Sequence, residues 1–202
     1  MWAIDSEKSS GWDTMRGRPQ AGHLVSESNV VRQSRQRAGI TQFYQGRGTA
    51  HRQMNDLDDI PFHGAKVAIL VGGSILLIQR DEIPTIPWPG YWDMPGGARE
   101  PGETASVCVI RETEEELGVS IPNNALKWRG CWESAPNHIW FFVVEWPDFD
   151  IRTLRFGGEG QRFAIAPIEW FLTSARAIPS QKVRLRAYMS YRARFGALVL
   201  PA

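Results

Sequence analysis

Cysteine is scarce in this chain. Its 202 residues hold two, Cys108 and Cys131, too few for a disulfide-stapled scaffold, which points to a reducing compartment and a cytoplasmic protein. No apolar run is long enough to span a bilayer and none reads as a signal peptide, so no membrane partner is expected. Neither sign of charge prevails: 23 Lys and Arg face 22 Asp and Glu, a net of +1. That balance offers no electrostatic footprint for nucleic acid or an anionic lipid surface. The four histidines are scattered without ligand spacing and are assigned no role. No internal repeat is visible.

What the chain does have is a concentration of carboxylates behind a glycine-rich turn, in Gly97-Ala-Arg-Glu-Pro-Gly-Glu103 followed by Thr104 to Val119. Thr104–Leu117 is predicted to be a helix of about four turns, with Thr104 as N-cap and Gly118 as a left-handed C-terminal glycine. Glu112, Glu115 and Glu116 are spaced i, i+3, i+4 and share one stripe, while Glu114 points to solvent. Like charges at that spacing repel, and near a helix C-terminus they also face the negative end of the macrodipole. The stripe itself contains no Lys or Arg, so something positive should sit against it. All-oxygen ligands suit Mg²⁺ or Mn²⁺. The plain alternative is an acidic, solvated helix end. Against it, seven fixed identities at fixed spacings arise by chance on the order of once in ten million start positions at average composition.

The segment 97–119 resembles the signature of the Nudix hydrolases almost position for position: Gly97, Glu103, Arg111, Glu112, Glu115, Glu116 and Gly118, with Thr113 standing where that family carries an apolar residue. Thr is close to Val in shape, and Thr113 lies toward the apolar side with Val109, Ile110 and Leu117. The resemblance implies a metal-binding loop-helix. Glu112, Glu115 and Glu116 would be metal ligands, the Gly96 carbonyl a further one, and Glu112 also a general base. Gly97 would let backbone approach phosphate, and Arg111 would pair with Glu103 to fix the loop-helix. The implied cofactor is Mg²⁺ or Mn²⁺. The implied fold is an α/β Nudix-type α/β/α sandwich with a mixed β-sheet. The implied reaction is metal-assisted attack of water on a nucleoside diphosphate-X pyrophosphate. Homodimers are frequent in the family, so a homodimer is possible here, though nothing in the chain demands one.

Residues 1–53 differ from the rest. They carry eight Lys/Arg against four Asp/Glu, and residues 54–202 carry 15 against 18. No strand or helix period stands out, so either a disordered extension or a start-site artefact upstream of Met54 is expected. Residues 54–202 are expected to form the domain. Lys66–Val71 and Ser74–Arg80 flank Gly72-Gly73, a hairpin signal. Asp81–Gly90 is a proline-rich loop, and a short strand near Tyr91–Met94 leads into the motif. Further strands are predicted at 126–133, 139–146 and 161–166. Helices are predicted at 167–172 and 181–195, the second with Val183, Ala187, Tyr188, Tyr191 and Phe195 toward the core and its basic residues solvated.

Glu159 sits in a glycine-flanked loop, Gly157-Gly-Glu-Gly160, where the resemblance places an extra metal-binding or base carboxylate. A polar turn residue is the alternative. Arg80 ends the hairpin and could reach a substrate phosphate. Nine tryptophans are read chiefly as core or rim, with one as a stacking surface for a nucleobase. Four functions follow. The first is a MutT-like (deoxy)nucleoside triphosphate pyrophosphohydrolase. The second is an ADP-ribose or nucleotide-sugar pyrophosphatase, weakly favoured by Pro136 lying 17 residues after Val119. The third is a non-catalytic nucleotide-sensing module, disfavoured by the intact glutamates. The fourth, an isopentenyl diphosphate isomerase, lacks a cysteine upstream of Gly97.

Overall fold

The hairpin signal fixes the centre of the molecule. In the computed structural model, which describes residues 60–196 and a strand at Ile40–Gln45, Gly72 takes φ +61° and turns β2 (Gly64–Val71) into β3 (Ser74–Gln79). Only two residue pairs join them, Leu70 with Ile75 and Val71 with Ser74. The strands then part, and the chain leading into the motif fills the gap. In β4 (Trp92–Asp93), Asp93 pairs with Ile78 and Trp92 with Gln79 of β3. On the other side of the gap, the Pro95 and Gly97 carbonyls accept from Val67 N–H (2.9 Å) and Ala65 N–H (3.0 Å) of β2. The active-site candidates therefore sit in a split of the sheet, where backbone polar groups are satisfied by the loop itself.

β5 (Trp128–Ser134) and β6 (Asn137–Glu145) form an antiparallel hairpin, and β6 lies parallel to β2. β7 (Arg162–Pro167) pairs antiparallel with β3. With β1 (Ile40–Gln45) on β5, the order is β1-β5-β6-β2-β3-β4, with β7 on β3. The sheet is mixed, as expected. The central strands are apolar on both faces, the mark of a sheet covered on both sides. One face packs α1 (Ala105–Leu117) through Ala105, Cys108, Val109 and Leu117. The other packs α2 (Ile168–Thr173) and α3 (Pro179–Phe195) through Ile168, Phe171, Leu185 and Tyr188. Each fully buried large side chain contributes roughly 1.5–3 kcal/mol.

Two expectations change. The absence of any strand period in 1–53 does not extend to Ile40–Gln45, which lies on the edge of the sheet beside β5; the rest of the expected extension lies outside the described residues. In α3 the basic residues are not all solvated, because Arg184 is buried while Phe195 is exposed. The buried stripe is Gln181, Arg184, Leu185 and Tyr188. Arg184 is tolerated there because its Nη1 donates to Gln181 Oε1 (2.9 Å) and its guanidinium lies over the Trp132 ring.

Candidate active site

The helix ends form as the residues dictate. Thr104 Oγ1 accepts from Val107 N–H (3.3 Å), and Gly118 adopts φ +65°. The remaining carbonyls of the last turn are taken by a distant loop: Arg155 N–H donates to Leu117 O (2.8 Å) and Gly157 N–H to Glu116 O (2.9 Å). Gly157 is obligatory at that contact, since a Cβ there would lie 1.8 Å from the Glu115 carbonyl oxygen. This docking brings the Glu159 loop to the end of α1. Thr113 is fully buried and its hydroxyl donates to Val109 O (2.7 Å), so its departure from the motif leaves no unsatisfied group.

Gly96 meets the β2 backbone at a distance that excludes a side chain, and Gly97 lies against the Glu112 carboxylate. Gly96 has φ +118°, and a Cβ there would lie 2.2 Å from Ala65 O; one on Gly97 would lie 2.2 Å from Glu112 Oε2. Glu116 is buried, and its Oε2 accepts from Gly96 N–H (2.8 Å). Burial, opposed by Lys66 and the Gly96 amide, pushes the Glu116 carboxyl up to about 7. Glu112 is raised for the same reason, opposed by Arg111. Arg111 binds more than the expected Glu103. It donates to Glu103 Oε1 (2.7 Å), Glu112 Oε1 (3.0 Å), Glu115 Oε2 (2.9 Å) and the Ala98 carbonyl (2.9 Å). The guanidinium holds Glu103 below the usual carboxylate range. Cys108 lies beneath the loop with its Sγ 3.5 Å from Ala98 O, and burial pushes its thiol up to about 12, so it packs as an inert small residue.

The opposite wall holds Lys66, Arg80, Asp93 and Glu159, which line one open cleft with Glu116. Lys66 Nζ lies 3.0 Å from Asp93 Oδ2 and donates to the carbonyls of Met94 (3.2 Å) and Gly96. Arg80 Nη1 is 3.5 Å from the same Asp93 oxygen, while its Nε donates to Pro87 O (2.9 Å). Asp93 is fixed from behind by Gln181 Nε2 (2.8 Å) and Met94 N–H (2.8 Å).

Of the residues singled out in the sequence, Arg80, Glu116 and Glu159 line the cleft, Gly96 holds Glu116 through its amide, and Gly97 lies against Glu112. Glu115 is the exposed member, its side chain 61% exposed and sharing Arg111 Nη1 with Glu112. Among the described residues no three His, Cys, Asp or Glu side chains form a ready-made cluster for a metal. The donor set nonetheless fits a hard divalent cation, because it is all oxygen and its buried carboxylates lack full neutralisation. The sequence reading missed Lys66 and Asp93. A signal for Lys66 was present: it is one charge in a strand whose neighbours Ala65, Val67, Ala68 and Ile69 are 0% exposed, and such a residue needs a buried partner.

A family model described as NUDIX domain matches residues 61–182. The chain is 33% identical over 60 residues to an 8-oxo-dGTP diphosphatase of Proteus vulgaris, covering 28% of this chain and 54% of that protein. It is 28% identical over 138 residues to the NAD-capped RNA hydrolase NudC of Pseudomonas fluorescens, covering 66% of this chain and 45% of the relative. The chain thus spans about half the length of these curated relatives. The MutT protein of Methanosarcina mazei superimposes with a TM-score of 0.51 at 19% identity, over 66% of this chain and 97% of that one. With the motif intact, the fold matched and the model spanning most of the described residues, the chain belongs to the Nudix family.

Proposed function

We propose that this chain is a Mg²⁺-dependent MutT-like pyrophosphohydrolase of (deoxy)nucleoside triphosphates, releasing the monophosphate and pyrophosphate. The observation that carries it is a cleft lined by Glu116, Glu159 and Asp93 together with Lys66 and Arg80: carboxylates and cations converging on one cleft suit a metal-phosphate complex. Nudix hydrolases generally use divalent metal ions. Here Glu112, Glu116 and the Gly96 carbonyl would hold the ion, with Glu115 joining once released from Arg111. When bound, it polarises phosphoryl oxygens and lowers the pKa of water.

The chain's own residues supply the rest. Arg80 binds a phosphate oxygen as a forked donor. Arg111 and Glu103 fix the loop against the helix. A carboxylate, Glu112 or Glu159, removes the proton of the attacking water. Glu112 suits that role because burial raises its pKa; Glu159 suits it by position. A panel of normal and oxidised nucleoside triphosphates, ADP-ribose, nucleotide sugars and dinucleoside polyphosphates, assayed with Mg²⁺, tests the reading. Turnover of triphosphates is expected, and no turnover on any member would overturn it. Glu112→Gln and Glu159→Gln separate the two bases: the base variant loses turnover while metal binding largely survives. A dinucleotide pyrophosphate as substrate is the second reading, favoured by the long match to the NAD-capped RNA hydrolase, and a nicotinamide dinucleotide added to the panel distinguishes it.

A further inference from the structure

The acidic stripe of α1 was expected to face something positive, and the structure supplies two side chains, Arg111 on Glu112 and Glu115 and Lys66 beside Glu116. Lys66 projects from the middle of β2 into the split of the sheet, only 13% exposed. Its ammonium sits on the Gly96 carbonyl, the oxygen that the metal reading makes a ligand. The amide of the same Gly96 holds Glu116. One residue thus carries a cation on its carbonyl and an anion on its N–H. The partner Asp93 is 3% exposed and is fastened by Gln181 and Met94, so it cannot swing away with the ammonium. A positive charge and a divalent cation cannot share one carbonyl oxygen at close range in a poorly solvated cleft.

We propose that Lys66 is a resident cation of the site, and that a divalent ion binds by exchanging with its ammonium on the Gly96 carbonyl while Asp93 keeps the ammonium in the cleft. The proposal rests on the reading of the loop-helix as a metal site. It gives β2 a role in setting metal affinity, in addition to the motif. Without metal, Lys66 preorganises the Gly96–Gly97 turn. With metal, it stays beside Asp93 and Arg80 on the wall facing the phosphates.

The full chain has four lysines, at 8, 66, 127 and 182, which makes the lysine side-chain NMR spectrum sparse. The Lys66 signal is assigned by its loss in Lys66→Met and followed as Mg²⁺ is added. Mn²⁺ affinity is measured in parallel for wild type and Lys66→Met from the resonance of the free ion. The Lys66 signal is expected to move with the same midpoint as metal binding. The Met variant is expected to bind Mn²⁺ at least tenfold more tightly and to melt at a lower temperature only when metal-free. Lys66→Gln, which keeps a donor for the Gly96 carbonyl, serves if the Met variant fails to fold. A Lys66 signal unmoved through metal saturation, or no gain in Mn²⁺ affinity, overturns the proposal. Absence of Mn²⁺ binding in wild type and variant alike overturns the metal reading itself, and the exchange with it.

Discussion

The two faces of the sheet bury charge in different ways. On the α3 face, Glu145 is closed by two partners, the Tyr188 hydroxyl and Arg192 Nε at 2.8 Å, and Arg184 is held by Gln181 and Trp132. These groups are wrapped in Trp128, Phe141, Leu185 and Tyr188, all nearly inaccessible to solvent. On the α1 face, Glu103, Glu112 and Glu115 share one arginine, and Glu116 has a backbone amide and a lysine nearby. The first face has a partner for each charge; the second has more negative charge than it can neutralise. A buried network in which each charged group is bonded serves the fold, and one with surplus negative charge marks a candidate cation site.

The sharpest way to break this contrast is to remove the surplus. Glu115→Gln with Glu116→Gln is expected to lower turnover by about 10³-fold or more, near 4 kcal/mol of transition-state stabilisation. The metal-free fold should survive the change, because an unneutralised buried carboxylate becomes neutral. Steady-state kinetics and thermal melts on the same preparation check both halves. A double variant that melts far below wild type would erase the distinction between the faces.

A smaller effect concerns pH. Glu116 has a folded-state pKa of about 7 against an ordinary 4.5, so the folded chain binds a proton more tightly than the unfolded chain. Its stability contribution is full below about 4.5 and is lost as the pH rises through about 7, a difference of about 3 kcal/mol. Metal-free chain should therefore be less stable to urea at pH 8 than at pH 5, with Glu116→Gln flattening the slope. Acid-side loss of stability in that interval would contradict the assignment.

The smallest of the three lies on the other face. Tyr188→Phe removes one of the two partners of Glu145 and is expected to cost about 2 kcal/mol with kcat unchanged. Chemical denaturation and kinetics of that variant would show whether the α3 network is structural alone.

Much of the site was legible because its logic is local. Helix caps, the i, i+3, i+4 stripe and the glycines before it are set by neighbours within one or two turns, and Thr104, Gly118 and Gly96 stand where that logic puts them. Lys66 and Asp93 were not legible, since their meeting depends on β2 and β3 parting after two pairs, and the support of Asp93 comes from Gln181, 88 residues away. Arg184 was read as solvated because its burial depends on a ring, Trp132, contributed by β5. The strand at Ile40–Gln45 was hidden for a related reason: an edge strand is stabilised by the neighbour it pairs with, and no local period in a Ser-, Arg- and Gln-rich segment reveals β5.

The docking of Gly157 on the end of α1 has a mechanical consequence. The loop that carries Glu159 is also the stopper of the helix that carries Glu112 and Glu116, tied by two backbone hydrogen bonds. Swinging that loop outward would uncap the last turn, so the cleft has a fixed wall on this side rather than a flap. Any insertion at 155–160 would be felt first as fraying of the helix.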